Sequence, residues 1–85
     1  MTAPARKTAT NWRKRIHADP AVLAGKPVIN GTRVSVELVL ELLAAGWTTD
    51  EIVEEYDRVT AADVRACLAY AAEALKDETV VPVRG

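Results

Sequence analysis

Residues 25–36 read GKPVINGTRVSV, and the fold turns on whether this stretch is a phosphate-cradling loop or a turn. A phosphate loop places its lysine and hydroxyl together after the second glycine, at a helix mouth where backbone N–H groups converge on the anion. Here Lys26 comes before Pro27, which has no N–H to offer. Val28-Ile29 and Thr32-Arg33-Val34 are β-prone runs around Asn30-Gly31, the pair that most favours a two-residue type I′ turn. The stretch therefore predicts a tight β-hairpin, with Lys26 and Arg33 as solvated or partner-facing charges. Asn30-Gly31-Thr32 also fits the N-glycosylation acceptor pattern, which matters only in a secreted chain.

Working outward towards the N-terminus, residues 1–10 are small, polar and basic, a composition expected of a disordered arm. Residues 12–18, WRKRIHA, begin the ordered part, with Ile16 and His17 expected as a strand leading into the turn signal Asp19-Pro20. Ala24-Gly25 is a second break. The expected division is a flexible basic arm at 1–15, a folded domain at 16–76 and a short tail at 77–85.

Working towards the C-terminus, helices follow. Ser35 is an N-cap for a helix over 36–45 that ends at Gly46 as its C′ residue, with Trp47 as the apolar contact closing the cap. Val36, Leu38, Val39, Leu40, Leu42 and Leu43 surround its axis and leave Glu37 and Glu41 as a narrow polar stripe, so more than one side must be covered. Thr48 with Glu51 makes a capping box for a helix over 49–56 that turns Ile52, Val53 and Tyr56 inward. Thr60 with Asp63 starts a third helix, whose inward face is expected from Val64, Leu68, Ala71 and Leu75. Two short helices joined by Asp57-Arg58-Val59 have the order of a helix-turn-helix unit. Charge weakens a DNA reading of that pair, because only Arg65 on the second helix suits base contact and the first helix is strongly acidic.

A chain of 85 residues makes one small domain, whose core alone supplies only a few kcal/mol. Association into a dimer or a partner complex is the natural supplement. The single Cys67 cannot form an intramolecular disulfide and is expected to be a small core residue. The lone His17 builds no metal site with one distant cysteine, and no serine or cysteine has a histidine in a recognisable catalytic arrangement, so neither enzymatic activity nor a cofactor is expected. Residues 1–15 lack an apolar signal core and no stretch has membrane-spanning length, so the expected location is a reducing cytoplasm.

Net charge is −1, but it is unevenly distributed. Up to Ser35 there are seven Lys/Arg against Asp19 alone, giving +6; beyond it there are four against eleven acids, giving −7. Such asymmetry suggests a basic arm that meets nucleic acid or an acidic surface that meets a basic partner.

The order of DPAVLAGKPVINGTRVSVELVLELLAAGWTTDEIVEEY followed by VTAADVRACLAYAAE resembles the DUF433 family (domain of unknown function 433), small bacterial and archaeal proteins assigned a homeodomain-like helix-turn-helix fold. The likeness runs over about residues 16–73 and carries the family's Asp-Pro, Gly-Lys-Pro and Gly-Thr-Arg elements in order. With the readings above, the expected fold is a mainly α domain with a short N-terminal β-hairpin and three helices in a helix-turn-helix arrangement, forming a homodimer through the hairpin region or first helix. Members of the family resemble antitoxins of type II toxin-antitoxin pairs, which implies neutralisation of a PIN-like nuclease toxin and binding to the operon's own promoter. The basic extension from Arg6 to Arg15 lies outside the shared pattern, and the tail after Lys76 is shorter than the toxin-wrapping tails of many antitoxins.

The candidate contacts follow from these readings. Double-stranded DNA would be met by Arg13, Lys14 and Arg15, as homeodomain arms do, together with Lys26, Arg33 and Arg65. A protein partner would be met by the apolar tail residues Val80, Val81 and Val83 and by the acidic face of Glu51, Glu54 and Glu55. The competing readings are a stand-alone DNA-binding regulator and a non-enzymatic dimeric interaction module.

Overall fold

In a computed structural model that describes residues 11–76, Ile16–Ala18 (β1) pairs antiparallel with Pro27–Ile29 (β2) in the register Ile16 to Ile29, His17 to Val28 and Ala18 to Pro27. Ile16, Val28 and Ile29 are all buried. Pro27 opens its strand, where the missing N–H does least harm. Asn30 extends the pairing: its N–H donates to the Arg15 carbonyl at 2.8 Å and its side-chain amide to the Lys14 carbonyl at 2.9 Å.

The hairpin thus exists, but its strands are not those expected from the Asn-Gly signal. Of that pair only Gly31 has positive φ, 76°, and Thr32 N–H donates to the Ile29 carbonyl at 3.0 Å, the pattern of a type II turn rather than I′. The Thr32 hydroxyl donates to the Ile29 carbonyl at 2.8 Å and accepts from Val34 N–H at 2.9 Å. These local side-chain bonds compete with ladder formation. Beyond these turn bonds, the segment after Gly31 returns to β2 through Ile29 N–H to the Val34 carbonyl and an isolated bridge between Val28 and Ser35. Consecutive positive φ, as a type I′ turn requires, instead occurs at Leu23 (48°), Ala24 (56°) and Gly25 (84°) in the β1–β2 connection, where Gly25 N–H donates to the Val22 carbonyl at 3.0 Å.

Three helices follow: Val36–Ala44 (α1), Thr49–Glu55 (α2) and Ala61–Lys76 (α3). Each begins at a side chain that satisfies orphan amides. Ser35 Oγ accepts from Leu38 N–H at 2.9 Å, Thr48 and Glu51 close a complete capping box, and Thr60 and Asp63 close another at 2.9 and 3.1 Å. α1 ends in a Schellman motif: Gly46, at φ 102°, donates to the Leu43 carbonyl and Trp47 N–H to the Leu42 carbonyl, both at 3.0 Å. The order is the one expected of a hairpin followed by helix-turn-helix, with α3 packed on both α1 and α2.

The core gathers Ile16 and Ile29 from the strands, Val36 and Val39 from α1, Ile52 from α2, Val59 from the turn, and Val64, Ala66 and Cys67 from α3. The inward face of α3 differs from the expected one. Ala66 and Cys67 are fully buried, whereas Leu68 and Leu75 are 48% and 59% exposed. α1, α2 and the segment Trp12–Lys14 pack on α3, and the small Ala66 and Cys67 take the fully buried positions.

The boundary of the basic arm also moves. Trp12–Lys14 forms a 3-10 turn capped by the Asn11 side chain, which accepts from Arg13 N–H at 3.2 Å. This turn docks on α3: the Trp12 ring meets Tyr70 edge to face at 4.8 Å, and its indole N–H donates to Glu73 at 2.9 Å. Residues 11–15, expected in the flexible arm, therefore belong to the folded body. Residues 1–10 and the tail 77–85, including Val80, Val81 and Val83, lie outside the described residues.

Candidate partner and nucleic-acid surfaces

The fold pairs much of the N-terminal positive charge with helical carboxylates. Arg13 bridges to Glu73 at 2.7 Å, Arg15 to Asp63 at 3.2 Å and Lys26 to Glu37 at 2.8 Å. Each pair joins a cation before Ser35 to an acid after it, so the uneven charge along the chain is in part a device that joins the N-terminal segment to the helices. The hydrogen bonds to Glu73 and its negative charge raise the Arg13 pKa above its ordinary value, and Glu37 does the same for Lys26. Glu73, holding hydrogen bonds first from Arg13 and then from Trp12, is pulled below the usual carboxylate range. Three of the six residues expected to meet DNA are thus already engaged. Among the described residues, Lys14, Arg33 and Arg65 are exposed and form no ion pair.

Arg33 does not stand alone. It lines an open recess between the loop at 31–34 and the α2–α3 turn, together with Arg58, His17 and Tyr56. Arg58 Nη1 donates to the Gly31 carbonyl at 3.4 Å, a long bond across the recess. Arg58 was not a candidate in the sequence reading. The signal was its place in the helix connection, where a charged residue reads equally well as a solvated turn.

Glu51, Glu54 and Glu55, expected as a partner-facing acidic face, do come together: they line a second recess with Gly46 and Trp47 at the end of α1. A third surface was not foreseen as such. Leu40 and Ala44 of α1 and Tyr70, Ala71, Ala74 and Leu75 of α3 form an apolar groove, with Glu37 and Glu41 on its α1 edge. The sequence signal was the excess of apolar residues around α1 together with the small residues of α3. Leu75, expected in the core, is the groove's most exposed large apolar side chain.

Among the described residues, no group of three or more His, Cys, Asp or Glu side chains is arranged to hold a metal ion, and no helix is long and apolar enough to cross a membrane. Cys67 is buried, and burial together with the Asp63 charge pushes its thiol pKa up to about 12, far from a reactive thiolate.

Hairpin, capped helices and open surfaces define a small, mainly helical domain with an apolar groove, an acidic recess and a basic recess. Residues 16–71 match the family described as a protein of unknown function, DUF433, and the chain belongs to that family. No curated protein and no solved structure matches it.

Proposed function

We propose that this chain is a non-enzymatic, antitoxin-like protein that neutralises a PIN-like nuclease toxin by direct binding in the bacterial cytoplasm. The observation that carries the reading is the apolar α1/α3 groove edged by Glu41, which forms no ion pair among the described residues, and by Glu37, which already holds Lys26. A nuclease that holds polyanionic RNA needs a basic surface around its active site. An apolar groove with a carboxylate edge is complementary to such a surface and to an apolar anchor beside it. Leu75, 59% exposed on the free chain, has the most to gain from being covered, about 1.5–3 kcal/mol for a leucine taken from full exposure to full burial. The acidic recess at Glu51, Glu54 and Glu55 offers a second contact of the same sign.

Binding to the operon's duplex promoter is the second activity in this reading, with homodimerisation supplying two copies of each contact. Lys14 and Arg65, exposed and without an ion pair among the described residues, are its contacts. Engagement of Arg13 and Arg15 on α3 disfavours the stand-alone regulator that would bind through a free basic arm.

The deciding experiment is a tagged pull-down of the full chain from its native cell, washed at high salt to strip nucleic acid, with mass spectrometry of what remains. A stoichiometric small nuclease-like protein is expected, lost on Leu75→Glu with Ala74→Glu while the thermal melt is unchanged. Recovery of the chain alone, or retention of the nuclease by the groove variant, overturns the reading.

A further inference from the structure

We infer that the recess between the loop at 31–34 and the α2–α3 turn binds single-stranded nucleic acid, its phosphate held by Arg33 and Arg58 and an unstacked base lying against Tyr56. This goes beyond toxin neutralisation and promoter binding and depends on neither.

Charge is the first ground. Arg13, Arg15 and Lys26 each face a carboxylate, whereas Arg33 and Arg58 form no ion pair among the described residues, although Asp57 lines the same recess. Two exposed guanidiniums lining one recess, without an ion pair among the described residues, offer an anion site. Arg58 uses one of its five N–H groups on the Gly31 carbonyl, which orients the fork and leaves four donors for a ligand. Guanidinium forks match phosphate geometry.

The second ground is what shares the recess with the arginines. Val22, Val34, Val59 and the half-buried Tyr56 line the same recess. A contact to the phosphates of a duplex needs only cations on a convex surface, since the bases stay stacked inside. Apolar and aromatic side chains sharing a recess with two cations instead suit a nucleotide whose base is splayed out, the arrangement by which single strands are held without sequence reading. The His17 ring, which also lines the recess, is hydrogen-bonded through Nδ1 to Asn30 Oδ1, and Asn30 is itself tied to the Lys14 and Arg15 carbonyls. That ring is therefore fixed in place before any ligand arrives.

The test uses the full chain and fluorescence anisotropy with fluorescein-labelled DNA and RNA of mixed sequence, about 12 nucleotides long, each as single strand and as annealed duplex. Single strands are expected to bind more tightly than duplex. The double variant Arg33→Gln with Arg58→Gln should lose roughly tenfold or more in affinity, and its salt slope should flatten by about 1.4, two single-strand phosphate contacts. Tyr56→Phe should retain binding and Tyr56→Leu should weaken it about tenfold, with thermal melts confirming that each variant is folded. As a control, Lys76→Gln, an exposed cation in the last turn of α3, should leave single-strand affinity within about twofold. Duplex bound as tightly as single strand, no binding by either strand, or a folded arginine double variant with unchanged affinity and salt slope each overturns the inference.

Discussion

Arg15 Nη1 lies 3.2 Å from Asp63 Oδ1, while the other oxygen of that carboxylate accepts from Thr60 N–H at 2.9 Å. One buried carboxylate thus both starts α3 and anchors the residue just before β1, coupling strand and helix across 48 positions of sequence. Its net contribution is uneven between the partners, because Arg15 is 44% exposed at its side chain and Asp63 only 8%.

From that asymmetry, Asp63→Ala should cost about 1–3 kcal/mol, since it removes the cap and leaves the Thr60 amide without its acceptor. Arg15→Met should cost less than about 1 kcal/mol, in the range of partly exposed ion pairs. Urea titration of the two variants and of their combination measures the coupling. Equal losses for the two single variants would show that the ion pair, and not the cap, dominates.

Glu73 gives an acid-sensitive joint. Hydrogen bonds from Arg13 and the Trp12 indole stabilise its ionised form, so its folded pKa lies below the ordinary 4.5. A depressed carboxylate contributes stability that is fully present above the unfolded value and is lost as pH falls through the folded one. Docking of the Trp12–Lys14 turn should therefore hold at neutral pH and loosen as pH drops below 4.5. The Trp12 indole N–H cross-peak in an NMR titration should shift over that window, and Glu73→Gln should abolish the transition while leaving the Trp47 cross-peak unaffected.

Much of this architecture was legible because capping chemistry is local. Ser35, Thr48 with Glu51, Thr60 with Asp63, and Gly46 with Trp47 each act within a few residues, and each terminus falls within a residue or so of where those side chains place it. The pairing of β1 with β2 was not legible, because it depends on Asn30 reaching the Lys14 and Arg15 carbonyls rather than on the turn propensity of Asn30-Gly31. The phase of α3 misled for a related reason: spacing of the leucines favours Leu68 and Leu75 inward, but tight packing favours Ala66 and Cys67. The basic recess was half legible. Arg33 stood out as lacking a packing duty, whereas Arg58 becomes its neighbour only through the tertiary fold.

Cys67 should behave as a buried apolar residue. With its thiol pushed from 9.0 up to about 12 by burial, the native chain should resist iodoacetamide at pH 8 and react fully in denaturant. A raised folded pKa gives stability that is intact below the unfolded value and declines as pH rises, so this contribution should fade between 9.0 and about 12. Cys67→Ala should weaken that alkaline loss, measured as the pH dependence of the urea midpoint relative to the parent. Rapid native-state alkylation at pH 8 would mean that the thiol is reached without unfolding.

The β1–β2 connection holds strain that a single substitution can relieve. Leu23 and Ala24 have φ of 48° and 56°, in the left-handed region, followed by Gly25 at 84°. Only the third is a residue that takes such angles without cost; a non-glycine there costs roughly 1–2 kcal/mol. Ala24→Gly removes a Cβ from the strained position, partly offset by the greater freedom of glycine in the unfolded chain. The net expectation is a gain of about 0.5–1 kcal/mol, an upward shift of a few degrees in Tm for a domain of this size. Gly25→Ala should do the reverse. An added Cβ there would meet the Pro20 Cα at an ordinary 3.8 Å, so the loss, about 1 kcal/mol, should come from φ alone and not from a clash. Thermal melts of the two variants separate the cases: opposite shifts support a left-handed turn at 23–25, whereas destabilisation by both would place the connection in an ordinary right-handed conformation at Ala24.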